Sequence, residues 1–211
     1  MMQYILNNQQ QFWELVRQHV ELTGAAVILS IVVAIPLGII ATRFAVMEKP
    51  VLALANLGQA IPSLVILGIS IPLLGIGFAP SLFALFLRAV LPILLNTYVG
   101  IKGVDYAMIE AAKGMGMKDY QILFRVEIPL TVPVILAGIR TATVQAVSLA
   151  TLAAFIGGGG LGDLIQQGIM MVDSSLLLAG AIPTAVLALM ADYLIGIIQR
   201  LATPKGLRIS I

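Results

Sequence analysis

The stretch Leu22–Thr42 reads LTGAAVILSIVVAIPLGIIAT and contains no Asp, Glu, Lys or Arg. About 20 apolar residues rising about 1.5 Å each cross a hydrocarbon layer of about 30 Å, so this segment has the length and character of a transmembrane helix. Composition shows that it is not an isolated core helix. The 211-residue chain is 60% hydrophobic and 10% charged, where soluble domains carry about 45–50% and about 25%, and its mean hydropathy is +1.04. A chain this small cannot hide such an excess from water. The composition excludes a soluble globular protein and describes an integral membrane protein.

Working outward from that helix, Pro50–Leu87 is also free of charge but too long for one span. Gly75-Ile76-Gly77-Phe78-Ala79-Pro80-Ser81 supplies the turn formers that divide it. The division predicts a second span over about 51–74 and a third over about 80–100. A fourth is expected over about 130–156 and a fifth over about 175–199, separated by Gly157-Gly158-Gly159-Gly160-Leu161-Gly162-Asp163. The reading is one all-α transmembrane domain, residues 1–211, with five helices.

Five spans put the termini on opposite sides, and basic residues decide which side is cytoplasmic. The first connection holds Arg43 and Lys49, the third Lys102, Lys113, Lys118 and Arg125, and the tail Arg200, Lys205 and Arg208. The opposite side holds only Arg17, while Arg88 and Arg140 lie within spans. The N-terminus is therefore expected outside and the C-terminus in the cytoplasm. Residues 1–21 lack the basic start and cleavage site of a signal peptide. Phe12 and Trp13 suit a retained segment lying at the membrane interface.

The residue inventory narrows the chemistry. There is no cysteine and one histidine, His19, so disulfides, thiol catalysis, zinc fingers and most transition-metal sites are excluded and no metal site is expected. His19 is most simply a solvated interfacial residue. The twelve basic residues form no dense tract, which argues against nucleic acid as a partner.

The longest connection, residues 101–128, gathers eight of the twenty-two charges. Loops of that length generally have a function. Met108, Ala111, Ala112 and Met115 recur at helical spacing, with Glu110 and Lys113 on other faces, so a short amphipathic helix ended by Gly114 and Gly116 is expected. The physics leaves two readings open, a helix resting on the inner leaflet or one presenting small and flexible side chains to a partner.

The particular residues favour the partner. Glu110-Ala111-Ala112, then Gly116, then Val126-Glu127-Ile128-Pro129, resembles the EAA signature of ABC importer permeases, with Val126 and Ile128 as conservative departures. The stretches 91–104, Glu127-Ile128-Pro129-Leu130, Ala137-Gly138-Ile139-Arg140-Thr141-Ala142-Thr143, 157–163 and Thr203-Pro204-Lys205-Gly206-Leu207 are similar to permeases of osmoprotectant importers for glycine betaine, carnitine and choline. The resemblance covers about 85–207. It implies a type I ABC importer permease in a bacterial cytoplasmic membrane. Such a subunit pairs with a second, identical or paralogous permease, two copies of a cytoplasmic ATPase and an external substrate-binding protein. Its loop, here Glu110, Ala111, Ala112, Gly116 and Pro129, forms the coupling helix that docks on the ATPase. The chain has no Gly-x-x-x-x-Gly-Lys-[Ser/Thr], so ATP and Mg²⁺ belong to the ATPase and no cofactor or enzymatic activity is expected here.

Two groups of residues are candidates for the passage itself. Arg88, Asn96, Tyr98, Gln59 and Gln145, with Ser63 and Ser148, are polar groups available to line a path, although such residues also bond between helices. Arg88 and Arg140 must face protein or water. Each can meet a substrate carboxylate or make a structural contact, and for Arg140 the structural contact, with carbonyls or with Asp192, is favoured. Gly157, Gly158, Gly159, Gly160 and Leu161 are candidates for an external gate, against a merely flexible connection. Aromatic residues are only 6% of the chain, so tight quaternary-ammonium selectivity is expected in the binding protein rather than in the membrane.

An importer for another small, amino-acid-like solute is the nearest alternative. An ion-coupled secondary transporter fits less well, because Asp192 is the only acid inside a span and no two-half repeat is visible. A plain membrane anchor leaves the coupling loop unexplained.

Overall fold

The computed structural model describes residues 2–203, which are helical with no strand. The Pro204-Lys205-Gly206-Leu207 part of the tail motif, with Lys205 and Arg208, lies outside the described residues. A short α1, Met2–Asn7, precedes α2, Gln9–Arg43. At 35 residues and about 1.5 Å each, α2 is about 52 Å long, well beyond a hydrocarbon layer of about 30 Å. The separate interfacial segment expected before Leu22 is thus the outer part of the first membrane helix. No breaker separates Gln9 from Leu22, and Arg17 bridges Glu14 at 2.6 Å and Glu21 at 2.8 Å along the helix.

The second span differs most from expectation. In place of one helix over 51–74 there are α3, Ala45–Ala60, and α4, Ser63–Leu74, bent by 99°. Pro62 is the reason. A residue before proline is pushed out of the helical region, and Ile61 stands at φ −68°, ψ 125°. Among the described residues, four helices are long and apolar enough to span a membrane, five with this bent pair taken as one span.

The third span is α5, Phe78–Lys102, followed by α6, Tyr106–Gly114. The fourth helix starts far earlier than 130. A first turn α7, Asp119–Ile122, runs through a π-helical turn at Leu123–Glu127 into α8, Ile128–Ala153. Proline at 129 cannot donate to the carbonyl four residues back and would clash with it. The chain widens to the i+5 bond Ile128 N–H to Leu123 O instead. The connection between α5 and α7 is therefore a short loop around α6 rather than a 28-residue excursion. A short α9, Gly162–Met171, leads into α10, Ser174–Ala202.

The central helix is α5, packed between α2 and α8, while α10 lies against α8 and α9. With lipid outside, no hydrophobic drive brings helices together, so small residues set their approach. Ala26, Ala84, Ala142 and Ala150 are fully buried at these crossings. At Gly138 of α8 a Cβ would sit 2.7 Å from Asn96 Cβ and 2.9 Å from the Pro92 carbonyl of α5. Large apolar residues fill one end: Phe12 and Leu15 of α2 pack with Leu161 and Leu164 at the start of α9 and with Leu176 of α10.

The ends of the bundle sort as the charge count requires. Gly160 N–H donates to Gln18 at 3.2 Å and Gly77 N–H to the Ile156 carbonyl at 2.8 Å, so the N-terminal part of α2, the α4–α5 turn and the glycine loop share one end. Arg43 at the other end of α2 bonds Glu127, placing it with α6 and the basic connection. His19 is not solvated. It is 1% exposed, with Nε2 at 3.1 Å from the Val147 carbonyl of α8.

Candidate functional site

Three regions carry the chain's polar chemistry, and α6 is the first. Asp105 caps it by accepting from Ala107 N–H at 2.9 Å. At its other end Met115 N–H and Met117 N–H return to the carbonyls of Ala111 and Ala112, and Gly116 takes φ +79°, the left-handed conformation that such an ending needs. Glu110, Ala111, Lys113 and Met115 are exposed, as are Tyr106 and Met108. Ala112 is not: it turns inward and is 1% exposed, so the expected apolar stripe is split between an outer and an inner face. Half-buried Pro129 lies beyond the π turn in the first turn of α8.

Glu127, the last residue of the π turn, is 3% exposed and receives both terminal nitrogens of Arg43, one at 3.2 Å. The segment after α6 is thereby clamped to the end of α2. The sequence reading treated Arg43 only as a topology marker. Nothing in linear spacing connects two residues 84 positions apart.

The second region is the polar face of α8. One cavity of about 270 Å³ is lined by Ser63, Arg88, Val144, Gln145, Ser148, Leu149 and Leu152. Another, of about 550 Å³, shares Val144 and Gln145 and adds Arg140, Thr141, Asp192 and Gln199. Thr141, Val144, Gln145, Ser148 and Leu152 recur at three- and four-residue steps and so share one helix face. That periodicity was available in the sequence as a signal for Thr141 and Val144.

Arg88 and Gln145, with Ser63 and Ser148, are brought together here. The other path candidates are not. Gln59 is exposed and takes part only through its carbonyl, which accepts from Arg88 Nη1 at 3.0 Å. The same nitrogen reaches the carbonyls of Gly58 and Ile61 at 3.3 and 3.5 Å. Arg88 thus holds the orphan carbonyls at the broken end of α3. Asn96 bonds back to Pro92 O at 2.8 Å at the α5–α8 crossing, and Tyr98 is buried with its hydroxyl toward Glu48 of α3. Arg140 donates to both carboxylate oxygens of Asp192, one of the two structural contacts open to it. No aromatic ring lines either cavity.

The third region is the glycine loop. It is packed rather than loose: a Cβ at Gly158 would stand 2.4 Å from Ser81 Oγ and 2.9 Å from Ala153 Cβ. Gly160, at φ +84°, lies against the His19 ring, and Leu161 is fully buried. His19 Nδ1 has no hydrogen-bond partner at that contact.

The family model for "Binding-protein-dependent transport system inner membrane component" matches residues 34–204. The chain is 44% identical over 208 residues to the glycine betaine/carnitine/choline transport system permease protein OpuCB of Bacillus subtilis (strain 168), covering 99% of this chain and 96% of that protein. It is 40% identical over 210 residues to the osmoprotectant import permease protein OsmW of Salmonella typhimurium, covering 97% and 98%. Among solved structures, a chain of the inward-facing MetNI methionine ABC transporter superposes with a TM-score of 0.83 at 19% identity, covering 96% of this chain and 98% of that one. A chain of an amino acid ABC transporter with histidines gives 0.76 at 17% identity, covering 95% and 98%. At such identities these two show the fold alone, that of a type I importer permease.

Proposed function

Because the chain belongs to the family of inner membrane components of binding-protein-dependent transport systems, we propose that it is the permease subunit of an ATP-driven importer of osmoprotectants such as glycine betaine, carnitine or choline. The observation that carries this reading is α6. Glu110 and Ala111 stand exposed on a capped helix that the π turn and the Arg43–Glu127 pair join to two membrane helices.

In this reading α6 docks on a cytoplasmic ATPase, of which the complex holds two copies together with a second permease and an external binding protein. ATP and Mg²⁺ sit on the ATPase, and no hydrolysis occurs on this chain. Closure of the ATPases moves α6. The Arg43–Glu127 clamp passes that motion to α2 and α8, and the bundle alternates between outward and inward access. The cavities around Arg88 and Gln145 are parts of the passage. The packed loop 157–161 is the external gate, where a small shift changes close contacts with α2 and α5.

The test is uptake by permease co-expressed with its ATPase and binding protein. Labelled glycine betaine should accumulate, with unlabelled carnitine or choline competing. Competition by amino acids but not by these osmolytes would favour the amino-acid-like alternative.

A further inference from the structure

The two arginines within the spans differ in how their charge is met. Arg140 is neutralised by Asp192, which receives both of its donating nitrogens. Arg88 is not. The hydrogen bonds it makes run from Nη1 to carbonyl oxygens, and among the described residues no carboxylate pairs with it. Carbonyl dipoles solvate a guanidinium but leave its net charge in place.

The rest of the Arg88 cavity sharpens the consequence. Its other polar side chains, Ser63, Gln145 and Ser148, are uncharged, and Val144, Leu149 and Leu152 are apolar. With no aromatic ring on its wall, a quaternary ammonium finds no cation–π partner there. A carboxylate finds the remaining guanidinium N–H groups, held in the planar fork that binds carboxylates well. A bare cation meets uncompensated like charge that water screens only in part.

Building on the osmoprotectant-permease reading above, we propose that this cavity is a charge filter favouring zwitterionic osmolytes that present a carboxylate to Arg88 over carboxylate-free cations. Glycine betaine and carnitine carry a carboxylate and no net charge, whereas choline is a cation with only a hydroxyl. The permease then adds a second selection to that of the binding protein.

The experiment compares glycine betaine and choline uptake into proteoliposomes holding the full complex, at saturating substrate. Dividing each variant's choline-to-betaine ratio by that of the wild type cancels the preference of the binding protein. Arg88→Gln and, separately, Gln145→Glu should each raise the ratio, by about tenfold for one charge acting across a partly wet cavity. Arg88→Lys should keep it near the wild-type value. Gln145→Glu retains the Arg88 side chain that caps the α3 carbonyls, so it carries the test if Arg88→Gln fails to assemble. A merely structural Arg88 would lower both substrates together, and an unchanged ratio in Gln145→Glu overturns the filter. A wild-type complex that imports neither osmolyte overturns the proposed function and the filter with it.

Discussion

Arg43 and Glu127 form a pair whose two members are unequally buried, with side chains 40% and 4% exposed. Removing one partner of a buried pair costs about 3–5 kcal/mol. The exposure of Arg43 reduces that to about 2 kcal/mol here. Arg43→Met should therefore lower the thermal midpoint of the purified complex more than Glu127→Gln does, because it strands a buried carboxylate. Adding Glu127→Leu to Arg43→Met should recover most of the loss, and a midpoint unchanged by Arg43→Met would show that the pair clamps nothing. Glycines offer a second contrast. Gly158→Ala drives a Cβ into Ser81 and Ala153 and is expected to cost about 1–3 kcal/mol by overpacking. Gly24→Ala in α2 meets open space and should be neutral or stabilising by up to about 1 kcal/mol. Midpoints in the reverse order would contradict the packed loop.

At the scale of elements, the spans were legible wherever composition decides them. Leu22–Thr42 and the run now seen as α5 lose no residues to the structure, because about 20 uncharged residues in lipid must satisfy their backbone as helix. Breaks and joins were less legible. Pro62 divides α3 from α4, whereas Pro36 and Pro183 lie inside unbroken helices. A proline in a membrane span can be absorbed or can break it, and neighbouring helices decide which. Here the Arg88 side chain from α5 donates to the freed carbonyls. The path candidates divided for a similar reason. Asn96 and Tyr98 face helix crossings, while Gln145 faces a cavity, and polarity alone does not say which face of a helix meets which neighbour. The α6 hairpin allows a direct test. Gly116→Ala forces a Cβ into the left-handed region, at about 1–2 kcal/mol, and Glu110→Lys reverses a charge on an exposed face. Both should weaken ATPase co-purification, and Glu110→Lys should do so with the thermal midpoint of the isolated permease unchanged. Retained co-purification in both would remove α6 from the docking surface.

Over the whole molecule, the scarce charges mark the two ends. Arg43, Lys102, Lys113, Lys118 and Arg125 gather with α6, while among the described residues Arg17 lies toward the glycine-loop end. Because the chain has no cysteine, single introduced thiols report topology cleanly. Lys113→Cys should react with an impermeant maleimide only from the cytoplasmic side. Val172→Cys, at a turn position 90% exposed, should react only from outside. The opposite pattern would invert the orientation. The most direct measurement of ATP-driven transport is glycine betaine uptake into proteoliposomes containing this permease, its ATPase and its binding protein. Uptake is expected only with ATP on the ATPase side and binding protein on the other, and Glu110→Lys should abolish it. Uptake driven by a proton or sodium gradient with no ATPase present would contradict an ATP-coupled permease.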